Sequence, residues 1–200
     1  MITFKELSEA VYEDLNGHIV TVSDDDKGYR ILFRCNDWHD LKKTRQFELV
    51  FDGVQESNAT PSASGGLRLL EEHPLLWQHN SEHVSMFFSS APSRPLEMIG
   101  HLYEAHTRLF GRWREFTDYL RADLELLRGG QGLLARGPKR AIQEYAKVIG
   151  NELRHSIVQG HTPRGGYRVV VFDECYVVCR DVSVIEGESI QSDSENSDQP

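Results

Sequence analysis

Cysteine, methionine and tryptophan each occur only three times in 200 residues. Three is an odd number of cysteines, and Cys35, Cys175 and Cys179 all stand in or beside apolar, strand-like runs. That pattern predicts packed, reduced thiols in place of a disulfide framework. Long hydrophobic runs are missing as well. Stretches such as 169–172 fall far short of the 18 or more apolar residues that suggest a membrane span. The first 17 residues carry Lys5, Glu6, Glu9, Glu13 and Asp14, charges that the apolar region of a secretory leader excludes. A soluble, cytoplasmic protein is the expectation, and Asn58-Ala59-Thr60 is then a chance match to a glycosylation sequon. The chain has no internal repeat, no Walker pattern and no dinucleotide fingerprint.

Positive charge is also scarce, with 22 Lys and Arg against 31 Asp and Glu and a net charge of -9. The imbalance is uneven. Residues 1–100 hold 9 bases against 16 acids, 101–168 hold 12 against 7, and 169–200 hold 1 against 8. Such an acidic chain disfavours loose nucleic-acid binding and suits a basic partner, while the middle segment is a local exception.

What is present in quantity is periodicity. Residues 19–89 contain alternating apolar and polar runs, and a stripe at helical spacing then extends over 99–127. That order predicts an α+β fold, an antiparallel or mixed β-sheet with two long helices packed on one face. Thr3 and Glu6 spell a capping box for a short N-terminal helix ending near Asn16-Gly17. Strands are expected at 19–22, 29–35, 46–54, 67–70 and 83–89. Tyr29, Ile31, Phe33 and Cys35 share one face, as do Phe47, Leu49 and Phe51. Residues 55–66 are polar, contain Pro61 and end in two glycines, the composition of a loop with little reason to order. The helices are expected at 95–128 and 138–159. A β-hairpin turning at Asp173-Glu174 follows. The expected organisation is a single α+β domain over 1–185 and an acidic, disordered tail over 186–200, where five acids meet no base.

Several clusters carry recognisable chemistry. His79-Asn80-Ser81-Glu82-His83 has the spelling of a zinc-peptidase motif, but that chemistry needs a helix to bring both imidazoles onto one metal. Asn80-Ser81 favours a turn, so two solvated histidines are expected and no metal. Asp24, Asp26 and Gly28 echo a calcium loop with the glycine one place early, which makes a hairpin turn the reading. Residues 35–40 gather Cys35, His39 and carboxylates, yet neighbours in sequence do not make a catalytic dyad. His106 lies inside the helical stripe, where a histidine is ordinarily a satisfied core residue.

Arg136-Gly137-Pro138-Lys139-Arg140 breaks a local rule, because a helix N-terminus favours acids and this one is given bases. Glycines, free amides and cations together suit an anion, so Arg136, Lys139 and Arg140 are the anion-binding candidates. The function expected is non-enzymatic: protein binding of the interaction, inhibitor or immunity type, with an acidic surface for a basic partner. The alternative is a phosphate, nucleotide or nucleic-acid binder using the segment 128–140, and the third is an enzyme centred on residues 35–40. No cofactor is implied.

Overall fold

A computed structural model describes residues 2–11, 15–187 and 190–191. Its elements in chain order begin with α1 (Phe4–Ala10), β1 (His18–Asp25), β2 (Gly28–Asn36), β3 (Lys43–Asp52), β4 (Glu56–Ser57), β5 (Ser62–Ala63) and β6 (Arg68–Leu70). There follow α2 (Pro74–Asn80), β7 (His83–Phe88), α3 (Pro95–Phe110), α4 (Leu124–Gly129), β8 (Gly132–Pro138), α5 (Lys139–Ile149) and β9 (His155–Gln159). The chain closes with β10 (Arg168–Phe172), β11 (Cys175–Cys179), β12 (Asp181–Glu186) and β13 (Ile190–Gln191). The α+β class is as expected, and no helix of the described residues is long and apolar enough to cross a membrane. Contacts divide the chain into two compact units, Met1–Glu71 with Tyr167–Pro200, and Glu72–Gly166.

The first unit is built from two antiparallel sheets. One has the order β12-β3-β2-β1-β5, with β13 also paired to β3, and the other has the order β4-β11-β10-β6. Alternation along β2 and β3 sends Ile31, Phe33, Cys35, Phe47, Leu49 and Phe51 inward, as the sequence predicts. They meet Val170, Phe172, Val177 and Cys179 from the second sheet, together with Phe4 and Leu7 of α1, in one core. The expected capping box at Thr3 and Glu6 is formed, but α1 stops at Ala10. Residues 12–14, in the stretch where the helix was expected to continue, lie outside the described residues. The hairpin at Asp173-Glu174 is present, pairing Phe172 with Cys175.

Two expectations for this unit are corrected. Residues 55–66 are tied down, because Asn58 accepts from the Tyr176 N–H at 2.6 Å and donates to the Glu174 carbonyl at 3.2 Å. That loop therefore supplies β4 and β5 to the two sheets. The start of the expected disordered tail is also in the sheet: Glu186 ends β12 and ion-pairs with Arg45, and Ile190 pairs with Thr44. Residues 188–189 and 192–200 of that tail lie outside the described residues.

The second unit holds a three-stranded sheet of order β8-β7-β9 and the remaining helices. Val84, Met86 and Phe88 form its inner row and pack with Leu102, Phe110, Ile142, Tyr145 and Ile149. The two long helices expected over 95–128 and 138–159 are shorter and broken. Gly111, at φ 53°, ends α3, and the chain then makes a 3-10 turn at Phe116–Asp118 before α4. Gly150, at φ 51°, ends α5, so Ile157 belongs to a strand instead of a helical stripe. Both glycines adopt a conformation that carries little penalty only without a Cβ.

His106 is 2% exposed and anchors the broken stripe. Its Nε2 donates to the Arg114 carbonyl at 2.8 Å, which leaves Nδ1 to accept from the Tyr145 hydroxyl at 2.7 Å. The rings of Phe110, Phe116 and Tyr119 surround it. This is the satisfied core histidine that the sequence suggests.

Gly137 allows the same cluster to close on β8. A Cβ there would stand 2.4 Å from the Tyr119 ring, and Tyr119 is 3% exposed, without room to retreat. Gly137→Ala is expected to destabilise the chain by about 1–3 kcal/mol through overpacking. Urea unfolding followed by circular dichroism would register this as a lower midpoint, and an unchanged midpoint would contradict the packing.

Candidate functional site

The register of the first sheet lines up a row of side chains across three strands. Asp24 of β1 pairs with Tyr29 of β2, and Tyr29 pairs with Phe51 of β3. Cross-strand partners share a face, so the row that is apolar at Phe51 ends in a carboxylate at Asp24. Beyond it β3 runs out at Asp52, the chain turns through Gly53, and β4 returns with Glu56 and Ser57. These residues line a cleft of about 550 Å³ together with Gly28, Val54 and Gln55. Its ionisable lining is Asp24, Asp52, Glu56 and the Tyr29 phenol, and neither lysine nor arginine lines it.

The floor of this cleft is fixed by hydrogen bonds and ring contacts. Tyr29 and Phe51 meet edge to face with centroids 5.8 Å apart. Ser57 Oγ donates to the Tyr176 carbonyl at 3.1 Å and accepts from the Ala59 N–H at 3.0 Å. Because that donation uses the only Ser57 proton, Tyr29 is the donor in the 2.6 Å contact between its hydroxyl and Ser57 Oγ. Burial raises the Tyr29 phenol above its ordinary value, the Ser57 bond works against this, and the Asp24 charge adds to the rise. The phenol stays neutral and positions the loop. Glu56 accepts from the Tyr176 hydroxyl, which fixes one carboxylate at the wall.

The lining carries acids and no base. Carboxylates are acceptors only; Asp24 shares the face of Tyr29 and Phe51, Glu56 is held at the wall, and Asp52, next after Phe51, alternates to the other face of β3. Ser57 is not placed as a nucleophile, because its proton goes to a backbone carbonyl and not to a base. The neighbouring acids are treated differently. Arg30 bonds Asp25 at 2.7 Å and Glu48 at 3.1 Å, on the opposite face of the sheet, so one cation is shared between those two acids. The calcium-like spelling at Asp24, Asp26 and Gly28 is the β1–β2 hairpin turn, as expected, with Asp25 accepting from the Lys27 N–H. Asp52, Glu56 and the role of Tyr29 were not singled out by motif. The excess of acids over bases in the first hundred residues was the available signal.

Of the anion-binding candidates, Lys139 and Arg140 are engaged by different neighbours and Arg136 is exposed. Segment 132–138, expected as an approach to a helix, is the strand β8. Arg136 lies exposed on it, paired in register with Ser85. Lys139 Nζ is 2.8 Å from Glu82, and its backbone N–H donates to the Glu82 carbonyl. The Arg140 guanidinium lies over the Trp77 ring, 5.9 Å from its centroid.

The histidine pair is corrected in part. His79 lies in the last turn of α2 and His83 opens β7, so no single helix carries both, and no group of three or more metal ligands occurs among the described residues. His83 is nevertheless buried instead of solvated. It donates from Nε2 to the Gln78 carbonyl at 2.8 Å and lies 5.1 Å from the His161 ring. Cys35 is buried while His39 is exposed, so the two do not meet. Burial pushes the Cys35 thiol up to about 11 and the Cys179 thiol up to about 12.

Two outcomes follow from these environments. Cys35 and Cys179 are expected to resist a thiol-specific colorimetric reagent at mildly alkaline pH in the folded chain and to react on denaturation. Rapid stoichiometric labelling of Cys35 without unfolding would contradict this. Burial also lowers His73 and His83 below the ordinary value of 6.5, so the unfolded chain takes up these protons before the folded chain does. Their contribution to stability is complete above about pH 6.5 and is lost as pH falls through the lowered folded values. Denaturant titrations at falling pH should show that loss well above the carboxylate range, and His83→Gln should reduce the slope. An identical slope in the variant would refute the assignment.

No protein-family model, no curated protein and no solved structure matches this chain.

Proposed function

We propose that this chain is a non-enzymatic, protein-binding protein of the cytoplasm, acting in the manner of an inhibitor or immunity protein, whose acidic cleft receives a basic side chain of its partner. The supporting observation is the cleft itself, lined by Asp24, Asp52 and Glu56 beside Tyr29 and Phe51 and by no lysine or arginine. A guanidinium fits this lining best. It offers several donors in a plane to carboxylates, and its flat face tolerates an aromatic floor. The net charge of -9 adds long-range steering of a basic partner, which raises association rate more than final affinity.

Charge-based recognition has a diagnostic salt dependence, because the screening length shrinks from about 10 Å at 0.1 M salt to about 3 Å at 1 M. Arginine-rich and lysine-rich peptides titrated calorimetrically into the full chain are expected to bind at low salt and to be released at high salt. Asp24→Asn with Asp52→Asn and Glu56→Gln should weaken binding at least tenfold, and Glu56→Gln retains an acceptor for Tyr176. Equal affinity of parent and triple variant would refute the cleft as the site. The competing reading places a phosphate or nucleic acid on Arg136, Lys139 and Arg140. It requires the opposite result, binding of polyanions with a steep salt slope that Arg136→Glu abolishes.

A further inference from the structure

The three-stranded sheet of the second unit has an edge that ordinary proteins protect. Strand β9 pairs with β7 on one side, and no strand of the described residues pairs with its other side. Sheet edges are normally blunted by charge, proline or a bulge. The sequence of β9, His-Ser-Ile-Val-Gln, contains neither formal charge nor proline. Its register with β7 is regular, while the irregularity in β7 falls on the β8 side. Ile157 is 40% exposed and Val158 is 51% exposed.

The direction of the backbone follows from one hydrogen bond. The Ser89 N–H donates to the Arg154 carbonyl at 2.9 Å, which continues the β7–β9 register by one residue. Antiparallel ladders alternate, so Ser156 and Val158 direct their N–H and C=O groups to β7. His155, Ile157 and Gln159 therefore direct theirs to the open edge. Three donors and three acceptors at the spacing of a strand are presented there.

We propose that β9 pairs antiparallel with the β9 of a second copy of this chain, about a two-fold axis at Ile157. Two observations select a second copy as the occupant. The outward phase places Ile157 opposite its own symmetry mate as a hydrogen-bonded pair, with His155 opposite Gln159, so all six outward groups are satisfied in each half of the ladder. Self-pairing also brings no charge against a like charge within 155–159, although the chain as a whole is strongly acidic, and it places β-branched Ile157 against itself, a favourable cross-strand pair. The contact is isologous and closes as a dimer, joining two three-stranded sheets into one of six strands.

Sedimentation velocity of the full chain across a concentration series, with light scattering, tests this directly. A concentration-dependent dimer is expected. Ile157→Lys sets two ammonium groups against each other on the axis and should raise the dissociation constant at least tenfold, while circular dichroism shows the fold retained. Ile157→Cys supplies a gain of signal that a misfolded variant would not mimic, because mild oxidation should then join two chains by one disulfide at the axis. A parent that stays monomeric at every concentration overturns the proposal. So does a dimer indifferent to Ile157→Lys and not cross-linked through Ile157→Cys, and so does a monomer that takes up an unrelated extended peptide along β9 in preference to itself.

Discussion

The pleat of the β1–β2–β3 sheet is the constraint on which the acidic cleft depends. Side chains alternate with a strict period of two, so the register that buries Ile31, Phe33 and Leu49 also decides where Asp24, Tyr29 and Phe51 stand. A slip of one residue between β1 and β2 would move Asp24 to the face that carries Asp25 and Arg30. There its charge would join a paired network instead of facing a cleft. The packing of Phe33 against Phe172, with ring centroids 6.2 Å apart, opposes such a slip because it buries the same face against the second sheet. Core burial thus positions a carboxylate that takes no part in the core.

Charge is partitioned by the same geometry. Arg30 lies between Asp25 and Glu48, and Arg45 is taken by Glu186 and stacks on Trp38, 3.8 Å from its ring centroid. Arg180 lays its stem along Gly53 and its guanidinium over Tyr167. These three arginines are thereby occupied outside the cleft lining. In the second unit Lys139 and Arg140 are likewise drawn to Glu82 and Trp77. Acids far apart in the chain, Asp24, Asp52 and Glu56, line one cleft.

β2 and β3 were legible from alternation because each buries a single face against a core, whereas β10 and β11 were legible as short apolar runs and are buried on both faces. The helices were less legible. A stripe at helical spacing from Ile99 to Leu127 satisfies the amphipathic rule, but the helix ends after Phe110, where Gly111 takes a positive φ. Ile157 follows Leu153 at the spacing of a continuing helix, yet Gly150 has already ended α5 and the β-branched pair Ile157-Val158 suits the strand it joins. α2 was not foreseen, since seven residues led by Pro74 and capped by the His73 side chain make too short a periodic signal. The loop over 55–66 looked unstructured because its order comes from Asn58 and Ser57 reaching β11, more than a hundred residues away.

By itself the sequence determined the α+β class, the inward faces of the strands, the reduced and packed state of the cysteines and the excess of acid in the first half. These follow from local rules of period, volume and count. Tertiary structure alone decided that Asp24, Asp52 and Glu56 line one cleft, that Lys139 and Arg140 go to separate neighbours, that His83 is buried, and that β9 is an edge strand among the described residues. Each of those depends on strand register and on contacts between residues distant in the chain, where pairing energy is set by geometry that no local window contains.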